Sequence, residues 1–565
     1  MTTTAYIGKP TSRVDGRAKV TGAAKYAAEY NVPNLTYGYV VSSAIAKGKI
    51  TRIDASDALA LPGVLQVFTH ENAPSLAWFD RSYRDEVAPP GSPFRPLYSN
   101  KIIYSGQPVA LVVAETFELA RYAATLVRIE YEREAHGTDL EEKRAEAYAP
   151  KEREGIELVP KPRGDADKAF ANAATRLEVE YRSPIEHHNP MEPYATTAVW
   201  ENDGTLTVYE KTQGAQNNQG YVTSVFGFAK DEVRVLSPYV GGAFGSGLRP
   251  QYQLFLAVLA ARELKRSVRV SLTRQQMFTF GHRPETLQRL TLGANADGTL
   301  TALTHEAFAE TSHFEEYSEN VVSWSGLLYK CDNVKFDHKV AQLDVYTPID
   351  MRAPGAAWGV YALECAMDEL AYKLGTDPLA LRLKNYAEKD QNEDKPFSSK
   401  ELRECYRQGA EKFGWAKRTP APRSMRKGNK LIGWGMATGA WEAQQRKASA
   451  KAVLTLDGKL SVGSATADIG TGTYTIMTQI AADTLGVPIE NVTFKLGDSS
   501  LSESPVEGGS WTAATIGSAV KAACDGVREK VFTLARKMEG SPLAGAKLCV
   551  GKCECGQRCV ARKCR

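Results

Sequence analysis

No stretch of this 565-residue chain is apolar for long enough to cross a bilayer. Its start, Met1-Thr2-Thr3-Thr4-Ala5-Tyr6, has neither the basic opening nor the apolar centre of a signal peptide. There is no G-x-x-x-x-G-K-[ST] run for a phosphate loop, and Gly242-Ala243-Phe244-Gly245-Ser246-Gly247 has the wrong spacing for a G-x-G-x-x-G dinucleotide fingerprint. Histidine is scarce, at 8 residues. His305-Glu306 and His313-Phe314-Glu315 do not extend to H-E-x-x-H, which argues against a zinc hydrolase, and His187-His188 has no third ligand at metal spacing. A C-x₄-C-x₂-C iron–sulfur run and a flavin motif are also missing.

Cysteine is thin in the body and crowded at the end. Cys331, Cys365, Cys405 and Cys524 are scattered, as in a reduced or disulfide-free protein, whereas Cys549, Cys553, Cys555, Cys559 and Cys564 share a short tail. Charge is split the same way. Residues 548–565 hold five basic residues against Glu554, which accounts for the whole formal charge of +4. A neutral body offers no electrostatic reason for nucleic-acid binding.

What is present describes an ordinary globular chain, 43% hydrophobic and 24% charged, and too long for one core. Residues 1–138 read as a mixed α/β unit, with strands at Val64–Phe68 and Pro108–Val113 and a helix at Phe117–Ala124. A charged linker is expected over residues 139–160 and a second, rich in Pro, Arg and Lys, over 417–430. They set off parts at 161–416 and 431–547, and 548–565 form an atypical tail. A faint duplication runs through the two parts. Asp203-Gly204-Thr205-Leu206 and Asp457-Gly458-Lys459-Leu460 each open a strand, a loop and helix follow, and each half then meets a double glycine, Gly241-Gly242 or Gly508-Gly509.

Three glycine-centred segments carry the chemistry: Val240-Gly241-Gly242-Ala243-Phe244-Gly245, Met351-Arg352-Ala353-Pro354-Gly355 and Asp468-Ile469-Gly470-Thr471-Gly472-Thr473. Glycine lets backbone N–H groups come close to a bulky anion, and a strand-to-helix turn adds the helix N-terminus. In this order, with Arg13-Val14-Asp15-Gly16, Glu186-His187-His188-Asn189-Pro190-Met191-Glu192-Pro193, Lys211-Thr212-Gln213 and Gly508-Gly509-Ser510-Trp511-Thr512-Ala513, the chain resembles the molybdenum-cofactor subunit of the xanthine dehydrogenase and aldehyde oxidoreductase family. The likeness spans about residues 7–547 and is greatest to the large subunit of bacterial three-subunit aldehyde oxidoreductases.

The resemblance implies an α+β fold: an N-terminal α/β-hammerhead-like domain, then a two-part mixed α/β molybdenum-cofactor-binding domain, incomplete at its C-terminus. It implies oxidation of an aldehyde to a carboxylic acid with the cofactor in its molybdopterin cytosine dinucleotide form. Electrons would leave through a 2Fe-2S subunit and an FAD subunit. Gln213 matches a glutamine that hydrogen-bonds an oxygen ligand of molybdenum, Phe244 a ring beside the substrate channel, and Arg352 an arginine at the active-site wall. Gly241, Gly242, Ala243, Phe244, Gly245, Arg352, Ile469, Gly470, Thr471, Gly472, Thr512 and Ala513 would line the cofactor, with no side chain of the chain bound to the metal. Ala243 stands where the family usually has glycine, and Thr471 where many relatives carry glutamine. Leu248 lies near where purine-oxidising relatives place a glutamate. An N-heterocycle hydroxylase subunit and a non-catalytic scaffold subunit are the alternatives. The expected compartment is the cytoplasm, or the periplasm by co-export with a partner, without membrane insertion.

The family continues past this length and carries a late glutamate that acts as general base; that segment is not found here, so impaired activity is expected. The tail after Lys547 reads as out-of-frame sequence or as a small metal site.

Overall fold

Pro108–Ala114 is buried at all seven positions, as in a strand covered on both faces. In the computed structural model, which describes residues 6–74, 76, 93–150 and 159–547, it lies inside a seven-stranded sheet. The spatial order is Val233–Leu236, Leu206–Glu210, Ala195–Trp200, Val268–Ser271, Thr36–Ser42, Pro108–Ala114, Val64–Thr69. Thr36–Ser42 pairs antiparallel with Pro108–Ala114 and parallel with Val268–Ser271. Strands from before and after residue 138 thus share one sheet, and the expected boundary there is not a break between cores. Helix Tyr252–Leu264 is buried at every position from Tyr252 to Ala261. A helix apolar all round belongs inside a core, and this one packs on Ala195–Trp200 and Val268–Ser271.

A four-stranded sheet follows, ordered Val334–Leu343, Leu300–Ser312, Thr286–Ala294, Thr175–Ser183. Helix Ala356–Leu374 covers it. The residues expected to link the first two units are more than a connection. Leu140 is fully buried with Leu287, Phe308, Ala341 and Leu343, and Tyr148 exchanges backbone hydrogen bonds with Val340 at 3.0 and 2.8 Å. The rest of that segment, residues 151–158, lies outside the described residues, as does the tail from 548.

The duplication is visible in the topology. Leu206–Glu210 pairs antiparallel with the strand before it and parallel with Val233–Leu236; Leu460–Gly463 does the same with Lys451–Leu454 and Val492–Lys495. Each half inserts a helix, Ala215–Phe226 or Thr473–Leu485, closed by a left-handed glycine, Gly227 or Gly486. The strand from Leu460 ends at Gly463, because Ala465 N–H and Thr466 C=O turn to the 497–502 loop for their hydrogen bonds. The final helix, Thr512–Lys537, buries Ile516, Val520, Cys524 and Phe532, but leaves Val531 and Leu534 exposed.

The halves meet backbone to backbone. Ser237 N–H donates to Gly497 O at 2.6 Å, Ser499 N–H to Val235 O at 3.0 Å, and Val235 N–H to Ser499 Oγ at 3.0 Å. Arg234 closes the seam on Asp498. Gly497 has φ +68°, and a Cβ there would stand 2.2 Å from Ser237 O. Gly497→Ala should therefore cost more than about 3 kcal/mol in urea unfolding. Gly458→Ala, at φ +80° with no neighbour within 4 Å, should cost only about 1–2 kcal/mol. Equal losses would mean that the close approach at the seam is unimportant.

Candidate functional site

The first glycine loop leaves the seven-stranded sheet after Leu236 and is held by backbone contacts on three sides. Gly241 N–H donates to Glu192 Oε2 at 2.7 Å, and Glu192 N–H donates back to Gly241 O at 3.1 Å. Lys211, fully buried, donates to Ser246 Oγ at 2.7 Å; burial pulls its pKa down to about 8. Gly245 has φ +118°, and a Cβ would meet Asp350 O at 2.0 Å. That carbonyl also receives His188 Nε2 at 2.8 Å. A carbonyl only accepts, so Nε2 carries the hydrogen. Burial holds the His188 pKa near 3, so the ring is neutral at ordinary pH. His187 instead packs edge-on against Phe278.

Phe244 sits at φ +59°, a conformation L residues seldom adopt, and 40% of it is exposed. Its carbonyl accepts the Arg352 amide at 2.7 Å, which joins the first glycine loop to the arginine loop. Arg283 builds the latter from below: Nη2 donates to Arg352 O at 2.8 Å, Nη1 to Ala353 O at 3.3 Å, and Nε to Glu186 at 2.9 Å. Glu319, also fully buried, takes the Gly355 amide at 2.5 Å. The Arg352 side chain points outward and is exposed. Ala243 is buried and not at positive φ, so the backbone there does not require glycine.

Gln213 is the joint of the arrangement. Its Oε1 accepts the Gly245 and Gly247 amides at 3.2 and 3.1 Å, which orients the side-chain amide. Nε2 donates to Glu507 O at 2.5 Å, and Glu507 N–H donates to Gln213 O at 2.8 Å. One amide hydrogen of Nε2 is thereby used and the second is left for a ligand.

The third loop departs from the expectation that its amides are free for an anion. The buried Asp468 carboxylate accepts Gly470, Gly472 and Tyr474 N–H at 2.9, 3.2 and 3.2 Å, so three donors are already taken. Arg13, from the N-terminal strap, donates to Gly470 O at 3.0 Å and lies over Gly472. Thr471, exposed, donates to Glu507 Oε1 at 2.8 Å. Burial, with Asp468 adding to it, raises the Glu507 carboxyl to about 8, and Oε2 has no partner. Thr512 and Ala513 open the last helix, the first half-buried and the second exposed. Ile469 is half-buried immediately before the Gly470 turn.

Gln213, Gly241–Gly245, Arg352 and, through Glu507, Thr471 thus form one connected network. Phe244, Gly470, Thr471, Arg352 and Ala513 present exposed faces around it, and open space lies over Gly470, at φ +102°. A large anion with both polar and flat parts fits this set. A groove of about 1160 Å³ on the seam, bordered by Gln216, Arg234, Arg446 and Trp511, is distinct: Gln213, Phe244 and Arg352 do not line it. The residues that reasoning from sequence missed are Arg283, Glu319 and Glu507. Arg13, Glu192 and Asp468 lay within recognised segments but without their roles.

Comparison with known proteins gives the family. Family models of the molybdopterin cofactor-binding domain match residues 150–386 and 408–559, and that of the aldehyde oxidase and xanthine dehydrogenase a/b hammerhead domain matches 21–135. The last match runs past the expected end of the likeness at Lys547. The chain is 40% identical, over 93% of its length and 70% of the relative's, to the aldehyde oxidoreductase molybdenum-binding subunit PaoC of Escherichia coli (strain K12). This chain belongs to the xanthine dehydrogenase and aldehyde oxidoreductase family. It is 30% identical to the putative xanthine dehydrogenase molybdenum-binding subunit XdhA of the same strain, over 85% of the chain and 66% of that relative. Its fold matches the aldehyde oxidoreductase from Desulfovibrio gigas with a TM-score of 0.79 at 24% identity, over 93% of this chain and 60% of that one. Reconstituted CO dehydrogenase from Oligotropha carboxidovorans matches at 0.77 and 20%, over 95% and 72%. The α+β class and its hammerhead-first order are as the sequence led one to expect, and the chain carries a molybdopterin cofactor-binding domain of an oxidoreductase family. No helix among the described residues is long and apolar enough to cross a membrane.

The buried groups set a pH response. Burial raises the carboxyls of Glu507, Glu319 and Asp350 to about 8, 7 and 6. A raised carboxyl binds its proton more tightly folded than unfolded, so its stabilisation is full below the ordinary carboxylate range and is lost as pH rises through the folded value. The buried His188 and His305, held near 3, act oppositely, but only up to about pH 6.5. The urea midpoint should therefore fall between pH 6.5 and 8, and Glu507→Gln should flatten that fall. A midpoint that rises across this window would contradict the assignment.

Proposed function

We propose that this chain binds the molybdenum cofactor, as the molybdopterin cytosine dinucleotide, in a hydroxylase that converts aldehydes to carboxylic acids. A 2Fe-2S subunit and an FAD subunit accept the electrons. One observation carries the reading: the Gln213 amide, oriented by two backbone N–H groups of the first glycine loop and bonded to the second half through Glu507, sits where both halves and the Arg352 loop converge.

When bound, the cofactor supplies the two-electron redox chemistry. The protein's residues do the rest. Gln213 offers its remaining N–H to an oxygen ligand of the metal. Phe244, fixed by its own strained backbone and by Arg352 N–H, offers a ring face to a flat or apolar substrate. Arg352 projects its guanidinium outward, where it can hold an anionic group or a product carboxylate. Arg13 supplies positive charge beside the Gly470 turn. Leu248 is buried against Gly508 and offers no polar atom to a purine, which favours aldehydes over N-heterocycles. The 40% identity to an aldehyde oxidoreductase subunit supports the same choice. The reading places the assembly in the cytoplasm, or in the periplasm if a partner exports it.

Co-expression with iron–sulfur and FAD subunits of the family in a molybdenum-replete host should give a complex that contains molybdenum and pterin and reduces a dye when supplied with an aromatic aldehyde. Gln213→Leu should lower kcat by at least about 10²-fold, as loss of an oriented donor does, and should also lower pterin content, because the Gly245 and Gly247 amides and the Glu507 carbonyl lose their partner. A complex without molybdenum, or one that oxidises purines faster than aldehydes, would overturn the proposal.

A further inference from the structure

Glu507 touches both ends of the proposed cofactor cradle. Its backbone exchanges two hydrogen bonds with Gln213, one through the Gln213 carbonyl and one through the side-chain amide. Its carboxyl is 2.8 Å from the Thr471 hydroxyl, on the turn that opens helix Thr473–Leu485. Glu507 is only 4% exposed and its Oε2 has no partner. Thr471, by contrast, is exposed and its hydroxyl can be reached by a ligand.

Donors are scarce at this turn because Asp468 consumes the Gly470, Gly472 and Tyr474 amides. A hydroxyl has a single hydrogen to give. If Glu507 is ionised, that hydrogen goes to the carboxylate and Thr471 turns only lone pairs to an approaching anion. If Glu507 carries a proton, the carboxylic O–H donates to Thr471 Oγ1 across the same 2.8 Å, and the threonine hydrogen is released to the ligand, its other hydrogen-bond neighbour being Thr473 Oγ1 at a longer 3.3 Å, a hydroxyl that can itself donate to Thr471.

We propose that Glu507 is a positioning residue that, as the neutral acid, turns the Thr471 hydroxyl into a hydrogen-bond donor to a phosphate oxygen of the bound cofactor. The relay needs no bond breaking; one proton, held by Glu507, sets the direction of two hydrogen bonds. The surroundings favour the neutral acid. Burial is the largest influence on Glu507 and the Asp468 charge acts in the same direction, while hydrogen bonds from the Thr471 hydroxyl and the Ile469 backbone N–H oppose them without cancelling them. Arg13 lies over Gly472 and bonds Gly470 O. This inference rests on the reading of the Gly470 turn as a cofactor cradle.

The test uses the co-expressed complex, purified at pH 6.5, then held at pH 6.5 or 9.0 and passed through gel filtration. Retained pterin is measured by the fluorescence of its oxidised form. The wild type should lose pterin at least fivefold faster at pH 9.0. Glu507→Gln, whose amide N–H donates to Thr471 permanently, should match the wild type at pH 6.5 and lose the pH dependence. Glu507→Ala and Thr471→Val should release pterin at least fivefold faster at both pH values, with unchanged elution volume and thermal midpoint within a few degrees as the check on folding. Thr471→Val combined with Glu507→Gln should behave as Thr471→Val alone. A Glu507→Gln variant that keeps the wild-type pH dependence, or a Glu507→Ala variant that retains pterin like the wild type, would overturn the relay and leave the cofactor reading standing. A wild type with no pterin at either pH would overturn both.

Discussion

The arrangement depends on the Gln213 side-chain amide and on the backbone groups that hold it. Its oxygen is fixed by two amides of the first glycine loop, and its nitrogen reaches a carbonyl of the second half. A buried primary amide satisfied at both ends has one orientation. That orientation is available only because glycines let backbones approach. Gly247 lies 2.9 Å, measured from an added Cβ, from Gln213 N, and Gly245 is still closer to Asp350 O. The segments do not pack by side chains filling a gap. They pack by carbonyls and amides meeting where no Cβ intervenes, and the site is what is left open between them.

The duplication explains why two halves can share one ligand. Each half runs a strand into a glycine turn and a helix, returns through a parallel strand, and then presents a second glycine loop followed by a long helix. The halves are joined where the returning strand of the first meets the 497–499 loop of the second. They differ in what fills the first turn. In the second half Asp468 caps its own helix; in the first, Gly214 begins the helix and Gln213 precedes it, free to serve the site. The similarity supplies a common frame, and the difference separates a phosphate-facing turn from a metal-facing one in the proposed reading.

Much of this was legible in the sequence, for physical reasons that can be named. Stretches apolar on every face, such as Tyr252–Leu264 and Pro108–Ala114, have no other stable placement than a core. Glycine clusters after strands marked the loops because only glycine accepts φ near +100°. What was not legible depends on pairs of residues far apart in the chain. Nothing near Glu507 announces Thr471, 36 residues away, and nothing near Arg13 announces Gly470, 457 residues away, because such partners meet only once the chain has folded. In the last helix the apolar spacing continues to Leu534, but there is a surface to cover only as far as Phe532, and Val531 and Leu534 stay in solvent. Asp468 was read as part of an anion loop when its carboxylate occupies that role itself, which periodicity and spacing do not distinguish.

The most direct test of the account is anomalous diffraction at the molybdenum absorption edge from crystals of the chain purified with its partner subunits. The account predicts one peak, bounded by Gln213, Phe244 and the Arg352 loop, with continuous density for the cofactor running from it to the Gly470 turn. A peak elsewhere, density confined to the groove bordered by Gln216 and Trp511, or protein that crystallises without molybdenum after expression in a molybdenum-replete host would contradict it.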